Sequence, residues 1–454
     1  MDKNNANTGQ LTAHIGLWQG VALYVSAIVG AGVLVLPGQI ASSAGPASLV
    51  SWLVACLIGA LLALLFVGLA RRLPGAGGIA TYVGEAYGAT AGGLAGWVYF
   101  VAGAVGQTIV PLTGGYYVAE AFSLSSGWAY LVAAGILAVA VGANLAGAKV
   151  STGAQLGLAL SVSLALLITI VVAIPRMDST QLTPFAPHGL PPIGGGVIVL
   201  FFAFAGWEAV AHLVGEFRRP NRDVPRAVGI TIVIVTVLYL GTAAAVVFTG
   251  TYGSPETDRI AIGLLLQEVF GGHSALAAAI MAVVISLGTT NAFIAGVSRL
   301  GYSLAKEKWL PRPAAYVSSS VPVGGVLAVA LIAFVGLGLA WLLSWGTETL
   351  VVIPSTLVVF VYLAAAIAGV KLLRGRQRAA AAVSVVLIAV VVPSSLGYVL
   401  IPLVVIGVAL TMRFVLRRAG RESAPHEGGQ TRVTGVSSVG APDGSRKPVS
   451  KPME

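Results

Sequence analysis

The stretch GGGVIVLFFAFAGWEAVAHLVGEF, residues 194–217, decides the fold. It is apolar and long enough to cross a bilayer, whose core of about 30 Å takes roughly 20 residues of helix. Yet Gly206 falls at its middle and Glu208 follows two residues later, where lipid would surround both. A backbone group released from a helix inside a membrane must find another partner, so irregular backbone occurs there only where it is buried in protein or lines a cavity. A second stretch, ALYVSAIVGAGVLVLPG at 22–38, has the same form, with Gly30, Ala31 and Gly32 at mid-span and Pro37 beyond. Single glycines in membrane helices commonly serve close packing. Two interruptions at corresponding places, in the first and sixth apolar runs, point instead to two inverted five-helix repeats whose broken helices meet near the midplane.

Outward from these two stretches, apolar runs fall near 15–42, 46–70, 92–121, 128–147, 150–174, 194–216, 225–250, 272–303, 323–345, 349–371, 379–395 and 396–416. They predict an all-α integral membrane protein of twelve spans, with the last two outside the 5+5 inverted repeat. Repeat one covers about 14–174, repeat two about 193–372, and the extra helices about 379–418. Short amphipathic stretches at 79–90 and 258–270 are expected at the surface or re-entering. Residues 1–13 and the Ser-, Gly- and Pro-rich segment 419–454 are expected to lie outside the bundle, the latter as a disordered tail because it has too little apolar surface to bury.

Of the 454 residues, 57% are hydrophobic and 9% charged, too few charges to clothe soluble domains. The net charge of +10 is split among alternate loops. With the N-terminus cytoplasmic, the inner loops hold Arg71 and Arg72, Lys149, Arg218, Arg219, Arg222 and Arg226, Lys306, Lys308 and Arg312, Lys371 to Arg378, and Arg413 to Arg421. The outer loops hold only Arg176 and Arg259. That asymmetry is a positive-inside signal and removes nucleic acid as a partner. It places both termini in the cytoplasm of a multi-pass cell-membrane protein. The single cysteine, Cys56, allows no intrachain disulfide, and the five scattered histidines show no zinc or protease spacing. There is no P-loop for an ATPase, no catalytic cluster and no cofactor motif, so no enzyme activity and no cofactor are expected.

The breaks carry chemistry of their own. Amides released around Gly30 to Gly32 open the N-terminus of a half-helix and suit a carboxylate. Carbonyls released near Phe204, Ala205 and Gly206 suit an ammonium group. Together they fit the zwitterionic head of an amino acid.

GVALYVSAIVGAGVLVLPG (20–38), ARRLPGAGGIATYV (70–83), FFAFAGWEAVAHLVGEFRRPNRDVPRA (201–227) and SRLGYSLAKEKWLP (298–311) resemble the amino acid/polyamine/organocation transporter superfamily over about residues 14–418. Within it, the short chain is similar to bacterial exporters of methionine and branched-chain amino acids. The resemblance implies the LeuT-like fold with helices 1 and 6 broken. It implies that Ile28, Gly30, Ala31 and Gly32 hold the substrate carboxylate, and that Phe202, Ala205, Gly206 and Trp207 hold the amino group and gate the pocket. Tyr99, Gln107 and Ser355 would line the remainder. Where proton-coupled importers of the superfamily often carry a lysine in helix five, this chain has Val162. Thr289 and Thr290 could form a sodium site, although threonines in membrane helices more often bond their own backbone.

Ionisable groups inside the membrane are costly and rare. Glu208 is therefore read as a coupling or gating group, with a hydrogen-bonding role for freed backbone as its structural reading and direct substrate contact as the third. His212 lies one turn further on the same face, either sharing its proton or acting as a structural donor. Glu216 and Arg299 are expected in an inner closing network. The apolar lining favours a neutral, hydrophobic amino acid moved by alternating access, with the chain acting as an exporter or antiporter. Proton coupling is expected ahead of sodium, and the assembly is expected to be a monomer or homodimer. A permease for polyamines or organic cations, and a membrane sensor without transport, are the alternatives.

Overall fold

The computed structural model describes residues 15–73, 78–147, 152–208, 214–271 and 273–422. The segment 1–13, Lys149, His212 and residues 423–454 lie outside the described residues. The described chain is helical throughout, with two isolated bridges, Ile15 to Phe217 and Ser318 to Val321, and no extended strand among the described residues.

Helix α1 (Leu17–Ile28) stops at Val29, whose ψ of 88 is not helical, and α2 (Gly32–Ala44) restarts the same span. Gly45, at φ +63, turns the chain back into α3 (Ser48–Arg72). The short α4 (Gly78–Tyr87) precedes the long α5 (Ala89–Ala121), followed by α6 (Ser126–Leu145) and α7 (Thr152–Ala173). Helix α8 (Pro191–Leu200) opens on a proline pair, whose missing amides cost nothing in a first turn. It ends where 201–208 run as successive turns. Then come α9 (Pro220–Thr249), α10 (Pro255–Phe270), α11 (His273–Lys306) and α12 (Val323–Leu342). The chain closes with α13 (Val352–Leu372), α14 (Gly375–Val391), a 3-10 turn over Val392–Tyr398, and α15 (Leu400–Glu422). The expected runs 379–395 and 396–416 are the helices α14 and α15, parted by the 3-10 turn that holds Pro393. Helix α15 continues three residues past the expected start of the tail at 419.

Among the described residues, ten helices are long and apolar enough to cross a membrane, counting Gly32–Arg72 as one, and Leu17–Ile28 and Pro191–Leu200 are apolar but shorter. Large apolar side chains point outward along them, among them Leu57, Leu131, Val171, Val237, Leu331 and Val390. In water such a surface would aggregate, whereas in lipid it is the natural exterior.

Contacts at the helix ends sort the loops into two faces. On one, Arg71 donates to Asn221 at 2.8 Å, Arg72 donates to the Leu372 carbonyl, and Arg413 stacks 4.0 Å over Trp309. This is the basic face. On the opposite face the Asp178 amide donates to the Phe248 carbonyl, the Ala47 amide to the Phe185 carbonyl, and Arg259 pairs with Glu348 at 2.6 Å.

Close helix approach rests on particular glycines. A Cβ on Gly115 of α5 would overlap the Ala129 carbonyl of α6, and one on Gly38 of α2 would overlap the Asp258 backbone of α10. Gly135 of α6, by contrast, faces open space. Gly115→Val should therefore force α5 from α6 at about 1–3 kcal/mol. We expect its Tm in detergent to fall on the order of 5 °C, with Gly135→Val unchanged, as thermal-shift measurement would read.

Candidate functional site

The two breaks meet. After α1 the Val29 amide still reaches Val25, and the Gly30 amide turns back to the Ile28 carbonyl at 3.0 Å. The amides of Ala31 and Gly32 then have no partner among the described residues. They head α2 with its partial positive charge. After α8, Gly206 takes φ +135, a backbone region that suits glycine, and a Cβ there would overlap the Ala27 carbonyl at the end of α1. Glycine is required at this position both by the turn and by the approach of the other broken helix.

Tyr239 of α9, wholly buried, joins the breaks from behind. Its hydroxyl lies 2.9 Å from the Ile28 carbonyl and 3.0 Å from the Ala203 carbonyl, donating to one at a time. Its ring stands edge-on to Trp52 of α3 at 5.5 Å and to Phe204 at 5.2 Å.

Beside it, the Glu208 carboxylate is buried among donors. Tyr99 of α5 bonds one oxygen, Tyr362 of α13 bonds the other, and the Gly206 amide donates to that second oxygen at 3.1 Å. No cation lies within ion-pair distance of it among the described residues. Two phenols and an amide thus take the place of the counter-charge that a buried carboxylate needs.

Between the breaks and α5 lies a cavity of about 40 Å³, enough for about three waters at about 10–15 Å³ each. Its walls are mostly apolar, with Val110, Phe202, Phe293 and Val358 beside the glycines of both α5 and the first break. Among its polar groups, Gln107 is the informative one. Its amide nitrogen donates to the Gly103 carbonyl at 3.0 Å, so the oxygen points away, buried and without a partner. An orphaned acceptor of this kind costs about 1–3 kcal/mol until a donor arrives. The residues lining the cavity therefore include unpaired donors, the amides of Ala31 and Gly32, and an unpaired acceptor on Gln107.

Ties lie on either side of the cavity. Toward the basic face, the Ile15 amide donates to the Glu216 carbonyl and the Arg218 amide to the Ile15 carbonyl, both at 3.0 Å, and Phe217 packs against Gly20 and Tyr24. Toward the opposite face, Gln39 of α2 donates to Thr347 at 2.7 Å and Tyr117 to the Leu34 carbonyl at 3.1 Å. There Arg259 reaches Glu348 while standing 4.7 Å over the Tyr116 ring. Burial pushes the neighbouring Asp258 carboxyl above the usual carboxylate range.

Of the residues singled out from sequence, Ile28, Gly30, Ala31, Gly32, Tyr99, Gln107, Phe202, Ala205 and Thr289 all line the cavity. Gly206 and Glu208 sit just behind it. Trp207 turns away and is buried against Gly59 of α3, while Phe202 spans the space between Gly32 and Gly106. Ser355 bonds the Val199 carbonyl at 3.1 Å and fastens α13 to α8. Thr290 is buried on α11 with its hydroxyl unpartnered. Arg299 donates to Ala295 of its own helix instead of reaching Glu216, whose backbone carries the bridge to Ile15. Tyr239, Tyr362, Phe293 and Val358 were not singled out. The two tyrosines had a readable signal, since a hydroxyl in mid-membrane needs a partner.

The sequence pattern of the family described as amino acid permease matches residues 15–430. The chain is 32% identical over 363 residues to YecA of Bacillus subtilis, described as an uncharacterized amino acid permease, covering 79% of this chain and 85% of the relative. It is 28% identical over 378 residues to the L-methionine/branched-chain amino acid exporter YjeH of Escherichia coli, covering 82% and 89%. It is 26% identical over 350 residues to the branched-chain amino acid permease BcaP of Lactococcus lactis, covering 69% and 73%.

Tyr239→Phe removes the one hydroxyl shared by two buried carbonyls, at a cost of about 1–3 kcal/mol. Hydrogen exchange should then quicken by tenfold or more in peptides spanning 28–32 and 203–206, and unchanged exchange there would show that the hydroxyl does not hold the breaks.

Proposed function

Because the chain belongs to the amino acid permease family, we propose that it is a secondary active transporter of neutral, hydrophobic amino acids, working by alternating access as an exporter or antiporter. The observation that carries this reading is the pairing, in one apolar cavity, of the free Ala31 and Gly32 amides with the free Gln107 carbonyl oxygen. A carboxylate suits the amides at a helix N-terminus. An ammonium group suits Gln107 and the carbonyls at the ends of α1 and α8, and an aliphatic or thioether side chain suits the apolar walls. The relatives named for methionine and branched-chain amino acids agree with that polarity. Polyamines are disfavoured, because the one carboxylate near the cavity among the described residues, Glu208, is already engaged by Tyr99 and Tyr362.

We read the architecture as twelve spans in a 5+5 inverted repeat. Gly45 divides Gly32–Arg72 into two spans, with α1 and α2 forming the first, and α8 with the residues beyond its break forms the sixth. Repeat one is 14–174, repeat two 193–372, and α14 and α15 are additional. The basic face is read as cytoplasmic in a cell membrane. Glu208 is read as the proton-coupling group, since a proton gained or lost there alters the bonds to Tyr99 on the cavity wall and to Gly206 at the break.

In proteoliposomes, radiolabelled methionine and leucine should cross and compete, and arginine and putrescine should not. If no amino acid crosses or competes, the reading fails. Gln107→Leu should raise KM by about tenfold or more, because a ligand ammonium loses its acceptor. Glu208→Gln should flatten the pH dependence of net transport, and an unaltered pH profile would remove Glu208 from coupling.

A further inference from the structure

Outside the cavity, the basic face gathers charge at one junction. Helix α3 packs between α9 and α14. Its end is linked to the start of α9 by the Arg71–Asn221 bond, and Gln377 of α14 lies against Gly68 of α3. The junction therefore collects Arg71 and Arg72 from α3, Arg222 and Arg226 from α9, and Arg376 and Arg378 from α14, all exposed. Among the described residues, none of these arginines forms an ion pair with a carboxylate. So much like charge in one place attracts a counter-ion.

The surface below the arginines identifies that counter-ion. Positions seven apart share one stripe of a helix. On α3, Arg71 stands above Leu64 and Leu57, both exposed; on α14, Arg376 stands above exposed Val383 and Val390; on α9, Arg226 stands above exposed Val233. Three neighbouring helices repeat one design, with a guanidinium at the level of the helix ends and a bare apolar stripe running into the membrane. A soluble anion or a nucleic acid would use the charges and leave the stripes unused. The tail does not fit either, because residues 423–454 carry three carboxylates against four Lys and Arg.

We propose that the junction of α3, α9 and α14 binds an anionic phospholipid, its headgroup among Arg71, Arg226 and Arg376 and its acyl chains along the stripes beneath. Arginine suits the phosphate by bidentate bonding, and each basic residue near an anionic lipid surface strengthens attraction by about fivefold.

The test is native mass spectrometry of the full chain, delipidated in detergent and titrated with phosphatidylglycerol or phosphatidylcholine. Wild type should hold phosphatidylglycerol more tightly. Arg71→Gln/Arg226→Gln/Arg376→Gln should lose that preference by about tenfold or more, while Lys306→Gln/Lys308→Gln/Arg312→Gln, with the same change of charge elsewhere on this face, should keep it. Equal loss in both triple variants would reduce the site to diffuse surface charge and overturn the proposal, as would equal binding of the two lipids by wild type. Displacement of the lipid by matched inorganic phosphate would make it a phosphate site and overturn it as well. Should the triple variant not remain monodisperse, Arg376→Gln alone, in the exposed first turn of α14, should weaken phosphatidylglycerol about fivefold, and no weakening would overturn the proposal.

Discussion

The structure depends on one rule of the membrane interior, that a backbone amide or carbonyl leaving a helix finds no partner in lipid and must find one in the protein or line a cavity. This chain breaks two helices and then spends side chains on the consequences. Tyr239 serves the carbonyls of Ile28 and Ala203, Tyr362 stands near that of Phe204, and Glu208 accepts the amide of Gly206. What those groups do not serve, the amides of Ala31 and Gly32, belongs to residues that line the cavity. In the proposed reading, the site is the part of the break that the protein leaves unsatisfied, and specificity would follow from which atoms remain.

The same economy shapes the packing. The breaks can meet only because Gly206 has no side chain against Ala27, and the halves can be covered only because Gly38 admits the backbone of α10 and Gly59 admits Phe204 and Trp207. Glycine appears at these positions for contact as much as for turning. At Gly59 and Gly20 aromatic side chains, Phe204 with Trp207 and Phe217, fill what the glycines open.

Much of this was legible in the sequence. Gly30, Gly32 and Gly206 announced the breaks because glycine at mid-span is costly to helix propensity, and Glu208 stood out because lipid tolerates few carboxylates. The lining that lies far away in sequence was less legible. Val110, Phe293 and Val358 belong to ordinary apolar helices, and nothing local distinguishes a valine facing a cavity from one facing lipid. Trp207 illustrates the limit in the other direction: its place beside the break is plain, but the way it points depends on Gly59 of another helix. The spans at the chain's end were readable by hydropathy, while the separation of α14 from α15 rests on the single proline at 393 and its 3-10 turn.

The bridge between Ile15 and Phe217 ties the segment before the first break to the segment after the second, and it does so with main-chain atoms alone. Its donors are the amides of residues 15 and 218, so any amino acid except proline at those two places would preserve it. A mechanical linkage of this kind drifts freely in sequence while staying constant in shape. Relatives could share the same tether without sharing a single letter of it.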